Sequence, residues 1–271
     1  MNELLVRVIV AVGLIGILAL ALIFGGWVQA AVFTFAAVVA VYETGRMFKQ
    51  KGIHIFSAPL YAVAALQLAA LNVEQTARFV PVLYLAAFLA LMTERILDPH
   101  RTQEALIASI FMLIYPLVLL LCFGLVGYGT GDNSRVALLM IFAGPSMADN
   151  NAYLFGRKFG KHKLCPAISP KKTVEGYVAG LVGGPIGGLL VWLLQGPLFG
   201  TNVHWAWLVG LGLLGGVVGQ FGDLFASTFK RWSGIKDFGT IFPGHGGVMD
   251  RLDSAMVFAP IVAVCFNYFI S

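Results

Sequence analysis

Nine apolar stretches take up most of the chain, near residues 5–24, 27–45, 56–73, 77–93, 104–128, 136–155, 175–195, 205–229 and 254–270. A helix rises about 1.5 Å per residue, so about 20 apolar residues cross the roughly 30 Å hydrocarbon core of a bilayer. In lipid every backbone polar group must find its partner inside the segment, and for stretches of this length a helix does that. The expected fold is an all-α polytopic integral membrane protein with about nine transmembrane helices. Composition agrees, with 59% hydrophobic and 11% charged residues and a mean hydropathy of +0.85. A soluble domain carries about 25% charged residues. The composition excludes an ordinary cytosolic enzyme, a disordered chain and a small secreted domain. Arg7 followed by the run from Val8 to Phe24 imitates a signal peptide. The run is long for that purpose and fits a first spanning helix.

With nine spans, the N-terminus and the loops after spans two, four, six and eight share one face. That face carries 16 of the 18 Lys and Arg residues, leaving only Arg78 and Arg135 on the other. Lys and Arg mark the cytoplasmic side, which places the N-terminus inside and the C-terminus outside. The net charge of +5 does not point to nucleic acid, because the charges are confined to short loops. Two long cytoplasmic loops, about 156–174 and 230–253, hold ten of the basic residues. Residues 1–135 read as a membrane scaffold of about five helices with few polar residues at depth. Residues 136–271 read as a catalytic membrane domain of about four helices. Cys122 and Cys265 lie in apolar runs and Cys165 in a basic loop, without disulfide or metal-site spacing.

Asp149 in span six and Asp223 in span eight each lie about six residues from a cytoplasmic helix end, roughly 9 Å below that face. A mid-membrane Asp costs about 2.5–3.5 kcal/mol on insertion scales, less near an interface. Two acids at matched depth, with no lysine nearby at that depth, suggest a shared divalent cation. The alternative is that each snorkels or is protonated. Gly212 with Gly216 and Gly215 with Gly219 form small-xxx-small pairs in span eight, and span seven carries Gly183, Gly184, Gly187 and Gly188. Such pairs let helix backbones approach closely.

Ser169 followed by Pro170 reads as an N-cap and a first-turn proline, so span seven is expected to start there. Lys171 and Lys172 then stand in its first turn, against the helix dipole. They make sense if an anion binds; the alternative is an anchor to anionic headgroups. The last loop carries Gly244, His245, Gly246, Gly247, Asp250 and Asp253. Its glycines permit close backbone approach to a ligand. Asp250, directly after the glycine turn, is the better metal candidate, while Asp253 is a ligand or a helix cap. His245 is a general base or a turn residue. Acids, lysines and a glycine turn at a membrane face suggest phosphoryl or nucleotidyl transfer, without identifying a substrate.

The segment from Ser227 to Asp253 resembles the signature of CDP-diacylglycerol synthases, also called phosphatidate cytidylyltransferases. The shared positions are Ser227, Lys230, Arg231, Lys236, Asp237, His245, Gly246, Gly247, Asp250, Arg251 and Asp253. The stretch from Asp149 to Gly176, with Ser169, Lys171 and Lys172, is similar to the family's second block. The resemblance implies a bacterial inner-membrane enzyme, active on the cytoplasmic face, that joins CTP to phosphatidic acid. The products are CDP-diacylglycerol and pyrophosphate. Asp223, Asp250, Lys230, Arg231 and His245 become the expected catalytic set. Asp149, Asp223, Asp250 and Asp253 are the expected Mg²⁺ ligands, with a second cation allowed beside it. Substrate binding falls to Asn150, Ser169, Lys171, Lys172, Ser227, Lys236, Gly246, Gly247 and Arg251. A homodimer is also implied. A lipid kinase of the polyprenol or dolichol type and a non-enzymatic transporter are the rival readings.

Overall fold

The structure is a computed structural model, and it describes residues 3–270. Its elements are α1 (Glu3–Phe24), α2 (Gly26–Lys49), α3 (Ser57–Leu71), a short α4 (Glu74–Ala77), α5 (Val80–Leu97) and α6 (Gln103–Met112). A π-helical stretch over Leu113–Val118 leads into α7 (Leu119–Gly129). Then follow α8 (Ser134–Phe159), β1 (Lys163–Cys165), β2 (Ser169–Thr173), α9 (Val174–Phe199), α10 (Trp205–Ser233) and α11 (Met249–Tyr268). The apolar stretches are helical over most of their length, the fourth interrupted by a turn at Arg78 and Phe79 and the fifth broken at Tyr115, whose φ and ψ of −118° and 102° are not helical. The expected position of the C-terminus falls on Ser271, outside the described residues.

Six of these segments are long and apolar enough to cross a membrane: Leu5–Phe24, Gly26–Lys49, Val80–Leu97, Gln103–Tyr128, Val174–Phe199 and Trp205–Ser233. The protein is thus an all-α polytopic membrane protein. α3 is apolar but has only 15 residues. α8 and α11 carry the polar residues of interest, Asp149 to Asn151 and Asp250 to Asp253, which lower their hydropathy.

One expectation is corrected. Ser169 does not cap a helix; Ser169–Thr173 is a strand paired antiparallel with Lys163–Cys165. The helix starts at Val174, with the Thr173 hydroxyl accepting from the Gly176 amide at 3.2 Å. A proline favours a first helical turn but also suits an edge strand, where its missing N–H costs nothing. Lys171 and Lys172 therefore lie on a strand.

The chain forms two compact units. The first takes the chain up to Tyr128 together with Trp232–Arg251. Its core includes Phe33, Ala37, Ala40 and Val41 of α2 and Leu60, Val63, Ala64 and Leu68 of α3, all buried. Those spacings of three and four residues put each set on one helix face. Phe33 packs on Phe123 with ring centroids 4.5 Å apart. Polar groups at depth are satisfied locally: Gln29 Nε2 donates to the Phe123 carbonyl at 2.7 Å, and the Phe56 amide to Ser109 Oγ at 2.8 Å.

The second unit takes Gly129–Arg231 and the chain from Leu252. Its helices meet through glycine. A Cβ at Gly187 would lie 2.6 Å from the Ala143 carbonyl oxygen, and one at Gly183 2.5 Å from that of Met147. Gly184 faces the Gly212 carbonyl and Gly188 that of Leu208, closer still. A Cβ at Gly222 would lie 2.5 Å from the Asp253 carbonyl oxygen. The small-residue pattern brings α8, α9, α10 and α11 backbone to backbone, as such patterns do in membrane helices.

Candidate active site

Close glycine packing in the second unit draws together side chains from four elements. Lys172 Nζ of β2 lies 2.7 Å from Asp223 Oδ2 of α10. Asp149 of α8 stands in the field of Lys172 and Asp223. Asp253 of α11 stands in that of Asp223, Lys230 and Asp149. Ser254 Oγ joins the last two acids, at 3.4 Å from both Asp149 Oδ2 and Asp253 Oδ1. Three carboxylates thus face two ammonium groups. Asp253 and Lys230 are buried, while Lys172 and Asp223 are half-buried.

Lysines do lie near the acids, against the expectation that none is at that depth. Long side chains carry their charge several ångströms from the backbone. Lys172 belongs to the hairpin and Lys230 stands two turns further along α10 than Asp223. An apolar stretch taken to end at residue 229 leaves Lys230 in the loop, whereas α10 runs on to Ser233. The paired lysines also part company. Successive residues on a strand point to opposite faces, so Lys171 is exposed while Lys172 turns to Asp223.

Hard carboxylate and hydroxyl oxygens suit Mg²⁺. Among the described residues, no group of three His, Cys, Asp or Glu side chains is gathered closely enough to hold a metal ion alone. Mg²⁺ does not require such a cage. It commonly binds through one or two carboxylates, several waters and substrate phosphates. One or two of Asp149, Asp223 and Asp253, completed by water and substrate phosphates, would meet that need.

The other expected residues of this unit are spread around the cluster. Ser169 opens β2 opposite Cys165. Asn150 is exposed and Ser227 is buried. Arg231 is exposed, and its Nε donates to the Ile168 carbonyl at 3.0 Å, tying α10 to the turn of the hairpin. Gln220 stands in the apolar stretch of α10 without a motif to mark it. It is buried, and its Nε2 donates to the Gly216 carbonyl at 2.8 Å.

The glycine loop is built within the first unit. Phe242 and Gly246 pair across a tight turn, and the His245 amide donates to the Phe242 carbonyl at 2.8 Å. Gly244 and Gly246 have φ of 75° and 82°, which only glycine adopts without cost. Asp250 Oδ2 accepts from the amides of Phe238 at 2.8 Å and Gly247 at 3.0 Å. Asp250 therefore folds the loop, while Asp253 is the acid that stands with Asp149 and Asp223. His245 Nδ1 is buried and has no hydrogen-bond partner among the described residues. Lys236 and Arg251 are exposed.

Comparison with known proteins bears on this arrangement. A model of the cytidylyltransferase family matches residues 5–269. The chain belongs to this family. Similar curated proteins, each named phosphatidate cytidylyltransferase, come from Staphylococcus saprophyticus subsp. saprophyticus and Staphylococcus aureus, both 42% identical over 137 residues. Another, from Staphylococcus haemolyticus, is 39% identical over 137 residues. Each alignment takes in 51% of this chain and 51% of the relative. The chain thus spans about half the length of the curated relatives it matches.

Proposed function

We propose that this family member transfers the cytidylyl group of CTP to phosphatidic acid. A lipid phosphate oxygen forms a bond to the α-phosphorus of CTP. The bond from that phosphorus to the oxygen bridging to the β-phosphate breaks, and pyrophosphate leaves. The observation that carries this reading is the cluster of Asp149, Asp223 and Asp253 with Lys172 and Lys230. It presents oxygen ligands for a cation and ammonium groups for phosphate oxygens side by side. The names of the similar staphylococcal proteins support the choice of substrates.

One or two of Asp149, Asp223 and Asp253, with substrate phosphates and water, would hold Mg²⁺, with a second cation beside it. Bound there, Mg²⁺ supplies charge neutralisation at the phosphate oxygens. Lys172 exchanges its partner, leaving Asp223 for a phosphate oxygen of the substrate. Lys230 offsets charge on Asp253 and on the entering phosphate. In this reading the enzyme is a homodimer in the cell inner membrane, with its site facing the cytoplasm, as the clustering of Lys and Arg supports.

The test is to incubate the purified protein with phosphatidic acid and either CTP or ATP. Formation of pyrophosphate and CDP-diacylglycerol with CTP alone is expected. Lipid phosphorylation with release of a nucleoside diphosphate would mark a lipid kinase instead. No nucleotide-dependent product at all would return the acids to a transport role.

A further inference from the structure

Glu43 lies on α2, in a stretch that the sequence presents as scaffold, yet it is 2% exposed. Burying a carboxylate without partners is strongly unfavourable, so its partners matter. They are the amides of Val248, to Oε1 at 3.1 Å, and Met249, to Oε2 at 2.9 Å. These N–H groups stand where the glycine loop enters α11, whose first-turn amides have no partner inside the helix. A side chain from the far end of the sequence caps them. Gly239 and Gly247 both lie against the Glu43 carboxyl, so closely that a Cβ on either would collide with it.

The same loop wraps a second acid. Asp250 Oδ2 takes the Phe238 and Gly247 amides, and Asp250 and Glu43 repel each other. Two like charges are held close by backbone N–H groups from one short segment. One further clamp comes from α2: Arg46 Nη2 donates to the Phe238 carbonyl at 3.1 Å. Glu43 and Arg46 are three residues apart and so share one face of α2. The loop's path from Phe238 to Asp250 is thus written largely by two side chains of α2 and by Asp250. An apolar residue at position 43 would fill the space but satisfy neither amide.

We infer that Glu43 is a positioning residue for cytidylyl transfer, holding the glycine loop and the first turn of α11 in their working conformation. The inference rests on the function proposed above. Glu43 touches neither substrate nor reacting atoms; it acts through the loop that carries His245, Gly246 and Asp250.

The experiment uses the full chain in detergent with CTP and phosphatidic acid, comparing wild type with Glu43→Gln and Glu43→Asp. Gln places an NH₂ donor against an amide donor. Asp keeps the charge but withdraws it by one methylene. We expect Glu43→Gln to lower kcat about tenfold or more, because small displacements of a reacting constellation carry large rate penalties. KM for phosphatidic acid and the melting temperature should stay near wild type. Trypsin should cut after Lys236 or Arg251 faster than in wild type. Glu43→Asp should recover part of the lost kcat.

A Glu43→Gln enzyme within about threefold of wild type in kcat would overturn the inference. So would a loss of activity matched by a lower melting temperature with loop cleavage unchanged, which marks a purely structural role. If Glu43→Gln cannot be purified, Glu43→Asp decides: reduced kcat at unchanged KM supports the role, and wild-type kinetics overturn it. If wild type makes no CDP-diacylglycerol, the proposed function has failed. The protease comparison, which needs no turnover, then still reports whether Glu43 holds the loop.

Discussion

Lys172 Nζ lies 2.7 Å from Asp223 Oδ2, joining the hairpin strand to α10. Both side chains keep partial access to solvent, at 21% and 30%. Lys172 Nζ itself is buried, so in the proposed reaction a phosphate oxygen takes the lysine once the pair parts and a cation takes the carboxylate. Its neighbour Lys171 faces away.

This separates two lysines that are adjacent in sequence. Lys172→Gln is expected to lower kcat/KM on the order of 10²-fold, since a contact to a charged group is worth about 1.5–3 kcal/mol and Asp223 also loses its partner. Lys171→Gln should fall by about threefold or less, as for an exposed charge. Steady-state kinetics in detergent at low and high salt check this. Equal losses in the two variants would contradict the strand geometry.

Asp223→Asn should abolish turnover while the protein still inserts and purifies, because the amide keeps the shape and removes the charge. Asp253→Asn should shift the Mg²⁺ concentration for half-maximal activity upward by about tenfold or more, as one ligand charge is lost. Asp250→Asn should leave that midpoint unchanged and loosen the loop, read as faster tryptic cleavage after Arg251. A Mg²⁺ titration of all three variants distinguishes ligand from loop-former.

Chelation offers a test without mutation. Excess EDTA should stop CDP-diacylglycerol formation, and added Mg²⁺ should restore it within mixing time. The helical signal in circular dichroism should not change, because α-helices close their backbone hydrogen bonds within themselves. Full activity in EDTA would remove the cation from the proposal.

Helix packing predicts a stability difference between glycines of the same unit. Gly184→Ala puts a methyl against the Gly212 carbonyl, whereas Gly210 has nothing within 4 Å of its would-be Cβ. Overpacking of this kind costs about 1–3 kcal/mol. Gly184→Ala should therefore melt several degrees lower in detergent, while Gly210→Ala should match wild type or exceed it through its helix propensity.

Orientation is checked by labelling. A cysteine placed beside Lys161 should react with an impermeant maleimide only once the inner membrane is opened. One beside Asn202 should react in cells whose inner membrane is intact. The reverse pattern would put the hairpin on the side that lacks CTP.

Much of this was legible along the chain. The apolar stretches specify the helices, because a bilayer offers their backbones no other partner. The glycine spacing of spans seven and eight marks the close packing, and the residues from Ser227 to Asp253 carry the family. Asp149 and Asp223 were visible as costly acids in apolar runs. Glu43, two residues from the end of its apolar stretch and followed by Arg46, Lys49 and Lys51, reads along the chain as an interfacial charge; its burial is what marks it out.

By itself, then, the sequence determined what is local and periodic: the helices, their apolar faces, and which loops hold charge. It did not determine which acids share a neighbourhood. Asp250 and Asp253 are three residues apart and alike in one dimension. Only the tertiary structure shows Asp250 turned to the amides of Phe238 and Gly247 and Asp253 standing with Asp149 and Asp223. Likewise Ser169 and Pro170 suited a helix start until pairing with Lys163–Cys165 claimed them for a strand. The physical reason is common to both. Hydrogen-bond partners and opposing charges are supplied by segments distant in sequence, and their positions exist only once the chain has folded.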